Sequence, residues 1–152
     1  MRRWLKRGVL FLIIVIVGMQ FIPVQRNTGE RNVETDFLKI YNQPENISRT
    51  LSLSCYNCHS NHTEYPWYAY IQPVASILQN HIDSGKTVLN YSEFDNYSDR
   101  RKRVKLKSMI NQIEENKMPL REYLFMHPEA KLKENEKKAL IEYLVELKKK
   151  YE

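Results

Sequence analysis

Cys55-Tyr56-Asn57-Cys58-His59 is the segment of this 152-residue chain whose side-chain types and spacing prescribe a chemistry. Both cysteines of the chain lie in it. Two thiols at this spacing reach the two vinyl groups of one porphyrin, and a histidine directly after the second can ligate the iron. Other uses of the spacing fit less well. A thioredoxin-type dithiol opens a helix within a βαβ unit, and no such pattern is present. A zinc site needs two further ligands at regular spacing; His62 and His81 could be recruited, but there is no second cysteine pair. A disulfide across so short a loop would stabilise little. The residues therefore point to one covalently bound haem c, with Cys55 and Cys58 as thioether donors and His59 as the proximal iron ligand.

The other side of the iron is open to several residues. Met118-Pro119 follows a helical pattern, and the proline holds the segment out of helix, so Met118 can present its thioether to the metal. Its bland alternative is an ordinary loop or core methionine. His81, at i+4 from Ile77 and i+3 from Leu78, is the main competitor and would give bis-histidine ligation. Met126 and His127, before Pro128, are weaker candidates. An open sixth position is the remaining case. A methionine ligand raises the reduction potential relative to histidine. Tyr65 and Trp67, in the aromatic run Tyr65-Pro66-Trp67-Tyr68-Ala69-Tyr70, are candidates for the porphyrin wall, or for plain core packing.

Helices must hold these groups. Pro44 suits a first turn, and Ile47 and Leu51 follow at helical spacing, so a helix over 44–55 leads into the cysteines. A second covers Gln72 to Ser84, with Val74, Ile77, Leu78 and Ile82 as its apolar stripe and Gly85 as its end. Asn90 to Ser98 reads as a loop. A third starts at Ser98 as cap, carries Leu106, Met109, Ile110 and Ile113 inward, and ends near Asn116. A last helix covers Asn135 to Lys149, with Leu140, Tyr143, Leu144 and Leu147 inward. Four glycines, ten tyrosines, 28% charged residues and no alternating strand pattern agree with an all-α, four-helix domain.

The N-terminus reads as an address. Arg2, Arg3, Lys6 and Arg7 precede an apolar run from Gly8 to Val24, at the lower limit of a bilayer span. Cations stay on the cytoplasmic side, so the remainder is expected on the periplasmic side of the inner membrane, single-pass. A cleaved signal peptide is the rival, but no small-x-small cleavage site stands out. The expected organisation is an anchor over 1–24, a polar linker over 25–35 and the domain over 36–152. Net charge is +6. Six cations between Arg100 and Lys107 could dock an acidic redox partner or simply face solvent. Nucleic acid is not expected as a partner, and the four Asn-x-Ser/Thr sequons are read as chance.

The chain resembles the bacterial haem-binding domain family of small cytochrome-c-like proteins. The resemblance is carried by Cys55 to Thr63, Tyr65-Pro66-Trp67-Tyr68, Ile71-Gln72-Pro73-Val74, His81-Ile82, Gly85-Lys86 and Leu89-Asn90-Tyr91-Ser92. Met118-Pro119-Leu120 with Tyr123, then His127 to Leu132, completes it, over roughly residues 40–148. It implies a cytochrome-c-like all-α fold with a single haem c, and it also suggests Met118 as distal ligand. Lys133 departs from the hydroxyl or carboxylate expected to cap the last helix. The resemblance supplies no redox partner, substrate or oligomeric state. Electron transfer is the expected function; a peroxidase-like haem enzyme or a haem-based sensor is the alternative if the sixth position is open or displaceable.

Overall fold

The computed structural model describes residues 2–30 and 33–152. Met1, the first residue of the expected anchor, and Arg31 and Asn32 of the expected linker lie outside the described residues. Among the described residues the secondary structure is helical, with no strand and one isolated bridge between Thr28 and His62. The α-helices are α1 (Arg2–Met19), α2 (Phe37–Ile40), α3 (Glu45–Ser54), α4 (Tyr56–His59), α5 (Val74–Val88), α6 (Asp99–Glu114), α7 (Arg121–Met126) and α8 (Glu134–Lys149). Short 3-10 turns cover Trp67–Tyr70, Tyr91–Asn96 and Pro128–Ala130.

The core forms where α3, α6 and α8 converge. Ile47 and Leu51 of α3, Leu106, Met109, Ile110 and Ile113 of α6, and Leu140, Leu144 and Leu147 of α8 are buried together. Helical periodicity puts each set on one face. α6 and α8 run antiparallel. Lys137 Nζ, at the start of α8, donates to the Glu114 carbonyl and Asn116 Oδ1 at the end of α6. Lys102, in the first turn of α6, lies over the Tyr151 ring just past the end of α8. Lys133 at the start of α8 offers no acceptor; there the Glu136 carboxylate accepts from the Lys133 backbone N–H at 2.9 Å.

Three expectations change. Asn90–Ser98 is not an outlying loop: its 3-10 turn drives Tyr91 and Phe94 into the core, where Phe37 meets both rings edge-on. Gly85 does not end α5, which continues to Val88. And no helix among the described residues is long and apolar enough to cross a membrane. α1 ends at Met19 rather than running on to Val24, so its apolar part, from Gly8, is about 18 Å long against a hydrocarbon core of about 30 Å. The stop has a cause in side-chain chemistry. Gln20 Nε2 folds back to the Ile16 carbonyl and also reaches the Gln72 carbonyl, while Gln20 Oε1 accepts from Gln72 N–H. Pro23 cannot continue a helix.

Residues 27–29, within the stretch read as a linker, lie along the segment after His59. Thr63 N–H donates to the Asn27 carbonyl and Gly29 N–H to the Asn61 carbonyl. Asn27 is buried, donating to the Ser60 carbonyl and Thr63 Oγ1 and accepting from Lys86 Nζ. The cationic start of α6 is only partly a solvated face. Lys102 is buried and paired with Asp95 at 2.6 Å, Arg101 lies over the Tyr97 ring, and Lys105 Nζ donates to the Val88 carbonyl.

Candidate haem site

α3 ends directly in the motif. Cys55 N–H donates to the Leu51 carbonyl, and Cys58 and His59 N–H both turn back to the Cys55 carbonyl, so one extra turn carries the two thiols and the imidazole. α5 crosses this turn in close contact, and Gly85 makes the crossing possible. A Cβ at residue 85 would lie 2.8 Å from the Cys58 carbonyl oxygen and 3.4 Å from His59 Cε1. The close approach lets His59 Nδ1 reach the Gly85 carbonyl at 3.0 Å and the Leu89 carbonyl at 3.1 Å. The Nδ1–H is thereby held by backbone, which orients the ring and leaves Nε2 as the nitrogen with a lone pair to offer. Iron- and zinc-bound histidines are oriented by this kind of support. Burial also lowers the His59 pKa, favouring the neutral imidazole that a metal requires.

Cys55, Cys58 and His59 open onto an apolar cleft of about 210 Å³, with His81, Ser84 and Val88 of α5 on one wall and Met118, Pro119, Leu120 and Tyr123 on the other. The α5 wall extends outward past the cleft. Ile77, expected in the core, is 53% exposed, and Val74 is exposed with it; Ala75, Gln79 and Ile82 make the buried face instead. Two larger clefts, of about 630 and 590 Å³, are lined mainly by polar and charged side chains and contain neither cysteine nor His59.

Met118 owes its position to the end of α6. Asn116 takes a left-handed conformation with φ 53°, its N–H donates to the Ile113 carbonyl, and Lys117 N–H donates to the Gln112 carbonyl. These are the two bonds of a Schellman cap, with asparagine in the place glycine usually holds. Both sixth-ligand candidates, Met118 and His81, therefore border the cleft that contains His59. Met126 and His127 do not line it. His127 has both ring nitrogens engaged, Nε2 with the Tyr68 hydroxyl and Nδ1 with Glu129.

Tyr65 and Trp67 do not line the apolar cleft either. The Tyr65 hydroxyl donates to Gln79 Oε1 and accepts from Asn27 N–H, and Trp67 is 74% exposed. The residues that do support the site were less visible. Tyr91 stacks on Tyr56 inside the motif at 4.9 Å and meets His59 edge-on at 6.3 Å. Asn57 Nδ2, inside the motif, donates to the Tyr123 hydroxyl at 3.0 Å. Ser84 and Val88, three and seven residues past His81, were the legible signal for the α5 wall.

The cysteines are not bonded to each other. Burial pushes the Cys55 thiol up to about 12 and the Cys58 thiol up to about 11, so both remain protonated at neutral pH. Protonated thiols are poor dithiol nucleophiles. They suit addition across a vinyl double bond, where the thiol hydrogen is transferred to carbon. Apolar walls, a neutral imidazole fixed through Nδ1 and two unpaired thiols on one turn all fit a haem.

A sequence profile of the family described as Haem-binding domain matches residues 14–146. No curated protein and no solved structure matches the chain. The match spans the motif turn, α5 and the Met118 segment, and with it the chain belongs to the Haem-binding domain family and binds haem.

Proposed function

We propose that the protein is a monohaem c-type cytochrome that transfers electrons, with Cys55 and Cys58 as thioether donors, His59 as proximal ligand and Met118 as sixth ligand. One observation carries this: Cys55, Cys58, His59 and Met118 border the same apolar cleft, and the His59 ring is held there through Nδ1. When bound, the haem supplies an iron that cycles between ferric and ferrous states. The chain's own residues do the rest. The carbonyls of Gly85 and Leu89 hold the imidazole proton and with it the ring angle. The capped end of α6 presents Met118. Pro119 and Leu120, half-buried at the cleft, would limit water around the iron and so favour the less charged ferrous state.

The second reading is His81 as sixth ligand, supported by its place on the same cleft wall. An open or displaceable sixth site would instead support a peroxidase-like enzyme or a sensor. Attachment of haem through thioethers takes place outside the cytoplasm, so this reading places the haem-bearing chain on that side. Association with lipid is supported by the exposure of the apolar side chains from Val9 to Val17. Any partner in electron transfer would be a second redox protein.

The test is optical. The full chain is produced with a cytochrome c maturation system, alongside Met118→Ala and His81→Ala. The thioether-to-iron charge-transfer band of the ferric protein is expected in the parent and His81→Ala, and lost in Met118→Ala. Absence of the band from the parent, or its retention in Met118→Ala, would overturn Met118. Rapid carbon monoxide binding by the ferrous parent would overturn six-coordinate electron transfer.

A further inference from the structure

Tyr68, His127 and Glu129 form a hydrogen-bonded chain that the iron chemistry above does not use. The Tyr68 hydroxyl lies 2.6 Å from His127 Nε2, and Glu129 Oε1 lies 3.1 Å from His127 Nδ1. Tyr68 comes from the 3-10 turn after the motif, and His127 from the end of α7, 59 residues away. The His127 side chain is 18% exposed and Glu129 is 60% exposed, so a shielded imidazole is joined to water through a carboxylate. On its other flank the imidazole stacks on Tyr123, with ring centroids 4.4 Å apart and planes at 23°. Tyr123 is a partition: it lines the apolar cleft beside Cys58 and His59, and it lines the open polar cleft beside His127 and Glu129.

We propose that Tyr68–His127–Glu129 is a proton-binding site coupled to the oxidation state of the iron, so that the protein takes up a proton with an electron. The inference rests on the haem reading above. Neutral His127 donates Nδ1–H to Glu129 and accepts the Tyr68 hydroxyl proton at Nε2. Protonated His127 donates at both nitrogens, to Glu129 and to the Tyr68 oxygen. Both states keep the two contacts with no heavy atom moving, the Tyr68 hydroxyl hydrogen turning away from the imidazole in the second. The reaction balances as ferric iron, one electron and one proton giving ferrous iron and the His127 imidazolium. The electron comes from a one-electron donor such as a reduced redox protein, and the proton from water by way of Glu129. Reduction removes one positive charge on the far side of Tyr123, which favours a cation at His127.

The groups facing His127 leave it as the one that changes charge near neutrality. Burial raises the phenols of Tyr68 and Tyr123, which stay protonated. Hydrogen bonding holds Glu129 below the usual carboxylate range. Cys58 and Glu64 border the small cavity shared by Tyr68, Tyr123 and His127, and Cys58 is a thioether in this reading.

The test uses the haem-loaded full chain, its loading read from the intact mass. The midpoint potential is measured by spectroelectrochemistry from pH 5 to 9 for the parent, His127→Phe and Tyr68→Phe. In the parent the potential falls as pH rises, approaching about 59 mV per pH unit between the ferric and ferrous midpoints of His127. His127→Phe abolishes that slope, and Tyr68→Phe keeps it but displaces its pH range. A parent potential independent of pH, or a slope unchanged in His127→Phe, overturns the proposal. If His127→Phe does not load haem, imidazole NMR titration of the parent decides. A higher His127 midpoint in the ferrous than in the ferric protein supports the coupling, and equal midpoints overturn it. A chain with no haem overturns both readings, and the mass alone reveals it.

Discussion

Where α6 meets α8, the contact is apolar and continuous: Leu106, Met109, Ile110 and Ile113 against Leu140, Leu144 and Leu147. Where α4 meets α5, the contact is a glycine, two backbone carbonyls and a histidine ring, beside a cleft whose apolar walls stay partly exposed. The first region is built to be stable. The second holds groups at fixed positions around a space. Substitutions in the two should therefore separate, the first changing stability and the second changing what the iron reports.

The largest expected effect on stability is in the first region. Leu144, fully buried, should cost about 2–5 kcal/mol when cut to alanine, measured by chemical denaturation, with the haem spectrum of the folded variant unchanged. An altered spectrum at low denaturant would break the separation. In the second region Gly85→Ala places a methyl 2.8 Å from the Cys58 carbonyl oxygen. It should cost about 1–3 kcal/mol and, unlike Leu144→Ala, also disturb the axial-ligand spectrum through His59. An unperturbed spectrum would mean that α5 yields at this crossing.

The sequence made the first region legible and only part of the second. α3, α6 and α8 follow from spacing to within two residues, because one buried face repeats at helical period. The motif names Cys55, Cys58 and His59 through covalent requirements that need no tertiary context. Gly85 was misread as a helix end because its reason is a neighbour 26 residues away, which no local pattern contains. Tyr91 and Phe94 sit in a 3-10 turn too short to show a period. Tyr65 and Trp67 share an aromatic run with Tyr68, yet only tertiary contact reveals that Tyr68 turns to His127. α1 stops short because Gln20 finds Gln72, a contact 52 residues apart.

A smaller effect is expected at the junction of the two regions. Asn116→Ala should cost about 1 kcal/mol, since alanine tolerates the left-handed conformation poorly, and Asn116→Gly should restore most of it. Weakening of the thioether-to-iron band in Asn116→Ala would tie the α6 cap to Met118; an unchanged band would detach them. The smallest effect at neutral pH is alkaline. Burial raises both thiols above their ordinary value of 9.0 and Tyr56 and Tyr91 above 10.0. Groups raised in the folded state bind more protons there than unfolded. Their contribution is complete below the unfolded values and is lost as pH rises through and beyond them. The haem-free chain should therefore lose stability from about pH 9 upward, followed by circular dichroism, with a shallower further loss above about pH 10 in Tyr91→Phe.

The central claim is that Cys55 and Cys58 carry the haem covalently, and the intact mass of the denatured chain tests it most directly. After production with a cytochrome c maturation system and denaturation in acid, the mass should equal the polypeptide plus one haem, and Cys55→Ala/Cys58→Ala should return the polypeptide alone. A parent chain of bare polypeptide mass, with haem released into the solvent or never acquired, would contradict it.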